Sequence, residues 1–191
     1  MTEHAPILSA PVPVRLRVSD YLLLDESGAL SAYGRTELIN GEIFAMNAQH
    51  RPHARVKSRL AVALSSVLQA IGSDLEMLIE ATVAMEPLSA PEPDIVLTNA
   101  SAGSGLVPAE SVALIVEVSD TSLQHDLQRK ADLYSRFQIP EYWIVDVNAG
   151  SIHQMWRPGA GGYSESRNVT FGYDIVSTTL PDLVISTSNL N

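Results

Sequence analysis

From Pro52 to Ile71 the apolar residues Val56, Leu60, Ala63, Leu64 and Val67 recur at spacings of three and four. That is the stripe one helix face presents to a core. It predicts an amphipathic helix of about five turns, ended by Gly72. Earlier, Ser19-Asp20 starts a short helix whose apolar face is Tyr21 to Leu24, after a proline-rich lead that frays before Arg15. Later, "TSLQHDLQRKADLYSRFQ" opens with Thr121 and Gln124 at capping-box spacing, turns Leu123, Leu127, Leu133, Tyr134 and Phe137 inward, and stops near Pro140.

Other segments read as strands. "TELINGEIFAM" is two short strands about Asn40-Gly41, the strongest hairpin signal in the chain. "LEMLIEATVAM" alternates, with Met77, Ile79, Ala81, Val83 and Met85 on one side, and predicts one half-buried strand. "PDIVLT" and "SVALIVEV" are unbroken apolar runs and predict central strands, antiparallel across the loop "NASAGSGLVPAE". "EYWIVDV" follows the last helix as the second strand of a βαβ step. The remainder reads as short antiparallel strands with Gly-rich turns, and Gly159 to Gly162 form such a turn because no helix follows to cradle a phosphate. Tyr142 and Trp143 belong to the core.

Composition narrows this picture. With 191 residues, 46% hydrophobic, the chain suits one domain over residues 15–191 behind a flexible lead of residues 1–14, and no repeat is evident. The absence of cysteine excludes disulfides and thiolate metal sites. The N-terminus lacks a basic segment followed by an apolar run, and no stretch approaches the roughly 18 apolar residues of a spanning helix, so a cytoplasmic protein outside the membrane is expected. A net charge of −10 disfavours coating nucleic acid through a global positive field. A local basic site remains, because Arg51, Arg55 and Arg59 fall four apart on one helix face with His53 and Lys57 beside them. A solvated helix face is the plainer alternative.

In an antiparallel pair, a residue starting one strand lies opposite a residue ending the next. Asp94 starts "DIVLT" and Glu117 ends its partner. Two carboxylates together are costly unless a cation sits between them or one is protonated. A divalent metal meets that need, and oxygen-only ligation completed by water is the magnesium pattern. The alternative is that Asp94 caps a turn and Glu117 pairs with an arginine. Ser119 points to the same side as Glu117, and Asp126, Lys130 and Tyr134 share a helix face with Leu123 and Leu127, so Lys130 is partly buried. Such a lysine can hold an attacking water or neutralise a phosphate, or simply pair with Asp126.

"TELINGEIF", "PEPDIVL", "LIVEVSDTSLQHDLQRKADLY" and "IPEYWIVDV" together resemble the Uma-two family of restriction-endonuclease-like proteins, within the PD-(D/E)XK nuclease superfamily, from about residue 20 to 180. The resemblance implies an α/β (α+β) restriction-endonuclease-like core, a mixed central sheet flanked by helices, with extra C-terminal antiparallel strands. It carries Pro93 and Asp94 onto the family's PD and Glu117 onto its second acid. The superfamily's lysine falls two residues later, where this chain has Ser119; the family's helical motif supplies Lys130 in its place, with Asp126 and Tyr134. Glu37 matches an early acidic position, implying a further ligand or base, and His53 a phosphate contact, against an ordinary structural role for each.

By this resemblance Asp94, Glu117 and the Val118 carbonyl hold Mg²⁺ or Mn²⁺, Lys130 orients water, and Arg51, Arg55 and Arg59 contact phosphate. The expected activity is metal-dependent endonucleolytic hydrolysis of nucleic acid, DNA first, by a homodimer. The alternative is a catalytically inactive nuclease fold serving as a binding or regulatory subunit. A small-molecule hydrolase finds no supporting motif.

Overall fold

The continuous apolar runs become the middle of a six-stranded sheet, because a strand buried on both faces needs apolar residues at every position. The computed structural model describes residues 11–190; residues 1–10, most of the expected lead, and Asn191 lie outside them. Residues 11–14 are exposed and without regular secondary structure.

In chain order, the first elements are α1 (Val18–Glu26), the hairpin β1 (Thr36–Ile39) and β2 (Glu42–Ala45), and α2 (Arg51–Ala70). Next come β3 (Glu76–Ile79), β4 (Val83–Ala84), β5 (Ile95–Thr98), β6 (Val107–Pro108) and β7 (Val112–Ser119). Helix α3 spans residues 123–136, with a π turn at Asp126–Lys130 in its middle. The chain closes with β8 (Glu141–Asp146), β9 (Ser151–Gly159), β10 (Gly162–Thr170), β11 (Asp174–Val176) and β12 (Val184–Ser186).

The sheet order is β10-β9-β8-β7-β5-β3. Only β7 and β8 pair in parallel within it, and α3 is the crossover between them. Strand alternation then sorts the side chains of β7. Val116 and Val118 pack with Val56, Leu60 and Leu64 of α2, while Ile115 packs with Ala131, Leu133 and Tyr134 of α3. Helices therefore cover both faces, and Glu117, between Val116 and Val118, faces α3. A smaller cluster of Val18, Tyr21 and Leu30 seats α1 and the following turn on Leu38 and Ala90. Tyr142 and Trp143 are fully buried, as the pattern requires.

Local chemistry explains the boundaries. Asn40 and Gly41 both have positive φ, 52° and 78°, the backbone of a tight hairpin turn. At Gly41 a Cβ would stand 2.6 Å from Arg15 Cβ, so no larger residue fits. Gly72, at φ 62°, follows the end of α2.

Three expectations change. The segment expected as one strand over "LEMLIEATVAM" is two, β3 and β4, broken at Glu80, whose φ of 54° turns the chain. Ile79 is consequently exposed while Val83 and Met85 are buried. The capping box at Thr121 does not form; Ser122 holds the N-cap position and donates its hydroxyl to Asp126 at 2.7 Å. The C-terminal strands include two of nine residues, β9 and β10, which extend the central sheet. Among the described residues no helix is long and apolar enough to cross a membrane.

Candidate active site

The ladder between β5 and β7 ends with Ile95 opposite Val116, and the same register sets Asp94 against Glu117. Asp94 is clamped there. Its Oδ2 accepts the Val118 backbone N–H at 2.8 Å, and its Oδ1 lies 3.1 Å from His53 Nε2 and 3.3 Å from Lys57 Nζ. In extended chain the N–H and C=O of one residue point to the same side, so the Val118 carbonyl opens toward Asp94 and Val118 lines the cleft.

Glu117 meets the other helix. Its Oε1 accepts from Lys130 Nζ at 2.9 Å and from the Tyr134 hydroxyl at 2.8 Å. Lys130 Nζ also lies 3.0 Å from Glu37 Oε2, so the hairpin, the sheet and α3 each contribute one charge to a buried cluster. Glu37 in turn takes the Glu92 backbone N–H at 3.3 Å and faces His125 at 3.8 Å. Asp126, one helical turn before Lys130, accepts the hydroxyls of Ser119 and Ser122. That interaction anchors α3 to the end of β7. A π turn of this kind recurs at functional sites.

The electrostatics follow from burial and crowding. Burial pushes the Glu117 carboxyl up to about 8, against the pull of Lys130 and with Asp126, Asp94 and Glu37 adding to the rise. Burial alone would lower Lys130, yet Glu117, Glu37 and Asp126 outweigh it and hold the ammonium above its ordinary range. Burial and neighbouring Glu117 raise Tyr134, which stays a hydroxyl donor. Burial keeps His53 below the usual imidazole value, opposed by Asp94. The four acids Asp94, Glu117, Glu37 and Asp126 thus outnumber the ammoniums of Lys130 and Lys57 at the strand ends, which favours an added cation.

The donor set suits a hard one. Glu117 Oε2 makes no hydrogen bond among the described residues, since both its partners use Oε1. With the Asp94 carboxylate and the Val118 carbonyl it offers oxygen ligands only, which fit Mg²⁺ or Mn²⁺. Among the described residues no three Asp, Glu, His or Cys side chains form a ready cage, so water or substrate would complete the shell, as magnesium tolerates well.

Asp94, Glu117, Val118, Lys130, Glu37, His53 and Asp126 all line one cleft of about 330 Å³. Ser119 and Tyr134 support it from behind through Asp126 and Glu117. The three arginines do not join them. At about 100° per residue, Arg55 lies roughly 200° round α2 from His53, and Arg51, Arg55 and Arg59 are exposed.

The sequence places Lys57 beside the arginines of the basic face, and the fold turns it to the acids instead. It donates to Gln49 Oε1 at 2.7 Å and Glu80 Oε1 at 2.5 Å while facing Asp94. Arg35 joins the network through Glu80 at 2.8 Å and Glu92. A signal existed: Lys57 precedes Leu60, Ala61 and Leu64 at helical spacing, which places it inside the apolar stripe. His125 likewise lines the cleft, five residues before Lys130.

A mixed sheet with helices on both faces, its acids at the strand ends and a lysine reaching them from the crossover, defines a nuclease-type α/β architecture. The crystal structure of a "putative nuclease belonging to DUF820" from Anabaena variabilis superposes with a TM-score of 0.72 at 15% identity, covering 92% of this chain and 97% of that one. At that identity the likeness establishes the fold. The Uma2 family model, described as "Putative restriction endonuclease", matches residues 18–188, and the chain belongs to that family. No curated protein matches.

Proposed function

We propose that the protein is a divalent-metal-dependent endonuclease that hydrolyses phosphodiester bonds of nucleic acid, with DNA the first substrate to test. The observation that carries this reading is the meeting of Lys130 with Glu117 at 2.9 Å in a cleft shared with Asp94. Asp94, Glu117 and the Val118 carbonyl would hold Mg²⁺ or Mn²⁺. Such an ion, when bound, polarises a phosphate oxygen and lowers the pKa of water.

The chain's own groups do the rest. Lys130, held by two glutamates, positions an attacking water and offsets charge that develops on the phosphate. Glu37 and Tyr134 fix the lysine and Glu117 respectively. His53 and Lys57 hold Asp94 in place, and His53, which lines the cleft, stands where a phosphate oxygen can be met. Residues 15–191 act as one unit, and β3, one of the two terminal strands of the sheet, offers an edge for a homodimer that light scattering would detect.

Calorimetric titration of Mg²⁺ and Mn²⁺ into wild type and Asp94→Ala tests the site, followed by cleavage assays on plasmid, linear and single-stranded DNA. Saturable binding lost in the variant, with metal-dependent cleavage lost alongside it, is the expected result. A second reading, a nuclease fold that binds or regulates without cutting, is favoured by one observation: both oxygens of Asp94 are already engaged by protein partners. Absence of metal binding with and without nucleic acid would select it.

A further inference from the structure

The depth of the cleft bears on what kind of strand can reach it, an argument that rests on the nuclease reading above. Its four central groups are almost wholly enclosed: Asp94 is 6% exposed, Glu117 4%, Lys130 2% and Glu37 2%. Residues 46–50, between β2 and α2, and residues 120–122, between β7 and α3, line the cleft around them. Its volume, about 330 Å³, sits at the low end of the roughly 300–1,000 Å³ of pockets that take one small ligand.

Duplex DNA is stiff over about 150 base pairs, and its phosphates lie on the outside of that rod. Its flanking segments would rest on the rim before a scissile phosphate could descend to Asp94 and Glu117. An unpaired strand escapes this limit, because one nucleotide can enter while its neighbours bend away.

Charge points the same way. Duplex affinity draws mainly on cations that neutralise successive phosphates. Of the cations lining this cleft, Arg35 is held by Glu80 and Glu92, and Lys130 by Glu37 and Glu117. Asp120 lies on the rim, and the chain as a whole carries −10. In place of a basic track the cleft has an aromatic wall. Phe44 and His125 meet edge to face with centroids 5.7 Å apart, and the Arg129 guanidinium lies 4.6 Å from the Phe44 ring. Aromatic rings with an arginine nearby are the surface on which unpaired bases stack.

We infer that this site takes single-stranded nucleic acid, admitting one nucleotide into the cleft, and that paired duplex is excluded from it.

The test is fluorescence anisotropy with a short labelled oligonucleotide of mixed sequence, offered as single-stranded DNA, as single-stranded RNA and as DNA duplex, to wild type, Phe44→Leu and Phe44→Ala in Ca²⁺. Leucine keeps the apolar packing at position 44, so its circular dichroism and melting serve as the folding control. Single strands are expected to bind on the order of tenfold or more tighter than duplex, with Phe44→Leu erasing most of that preference. The two single strands identify which sugar the site accepts. Duplex binding as tight as either single strand, or binding of no strand, would overturn the inference. Cleavage of the same strands in Mg²⁺, with Asp94→Asn as control, is read separately. Preferential single-strand binding without cleavage would remove the nuclease reading and leave the substrate class standing.

Discussion

The ammonium of Lys130 rests 2.9 Å from Glu117 Oε1, thirteen positions earlier in the chain, and both side chains are buried. The helix that crosses from β7 to β8 thus brings an ammonium to the acid at the end of β7.

Replacing Lys130 by alanine strands two buried glutamates. Orphaning one side of a buried ion pair costs about 3–5 kcal/mol, so Lys130→Ala is expected to melt well below wild type. Lys130→Met combined with Glu117→Gln neutralises one of the two stranded acids, leaving Glu37, and is expected to recover part of that loss. Neither variant is expected to retain cleavage, with a fall on the order of a hundredfold or more in rate. Thermal denaturation and a cleavage assay run side by side separate the two effects.

Ser119 has a different role. Its hydroxyl donates to Asp126, which keeps a second donor in Ser122. Ser119→Ala is therefore expected to lose about 1 kcal/mol of stability while leaving the Mg²⁺ titration unchanged. A lost metal isotherm in this variant would make Ser119 part of the ion's surroundings.

Glu141 contributes to stability in a pH-dependent way. Burial would raise its carboxyl, but hydrogen bonds from Ser177, Gln154, Trp143 and the Thr179 backbone outweigh burial and hold it below the ordinary glutamate value of 4.5. A carboxyl depressed in the folded state adds stability above its unfolded pKa and loses it as pH falls through the folded one. Glu141→Gln is expected to lower the melting temperature at neutral pH, and the gap to wild type should close below about pH 4.5. A gap independent of pH would place the effect in packing.

Arg51, Arg55 and Arg59 are exposed on the outer side of α2. Substituting Arg51 and Arg55 by glutamine is expected to leave melting and metal binding nearly unchanged. If a strand leaving the cleft crosses that helix, each lost phosphate contact should flatten the slope of log K against log salt by about 0.7–0.9. An unchanged slope would confine nucleic acid to the cleft side.

Much of this arrangement was legible from the chain. Asp94 and Glu117 follow from two apolar runs read as antiparallel neighbours, and the inward face of α3 from Leu123, Leu127 and Tyr134 around Lys130. Periodicity gives the direction of the Lys130 side chain and not how its helix crosses the sheet, so its contact with Glu117 is visible only in the fold. Lys57 was hidden by its arginine neighbours, and Glu80 by an alternation that runs straight through it. At that left-handed turn the Glu80 carboxylate meets Lys57, Gln49 and Arg35, all distant in sequence. Tertiary partners of this kind leave no local pattern.

The parallel pairing of β7 with β8 obliges the chain to travel back across the sheet before its next strand. Here the return path is α3, so the acids arrive with the sheet and the ammonium with the connection. A chain whose crossover has not docked holds carboxylates with no fixed lysine to meet them. The charge cluster is therefore complete only where the crossover helix lies docked against the strand that carries Glu117.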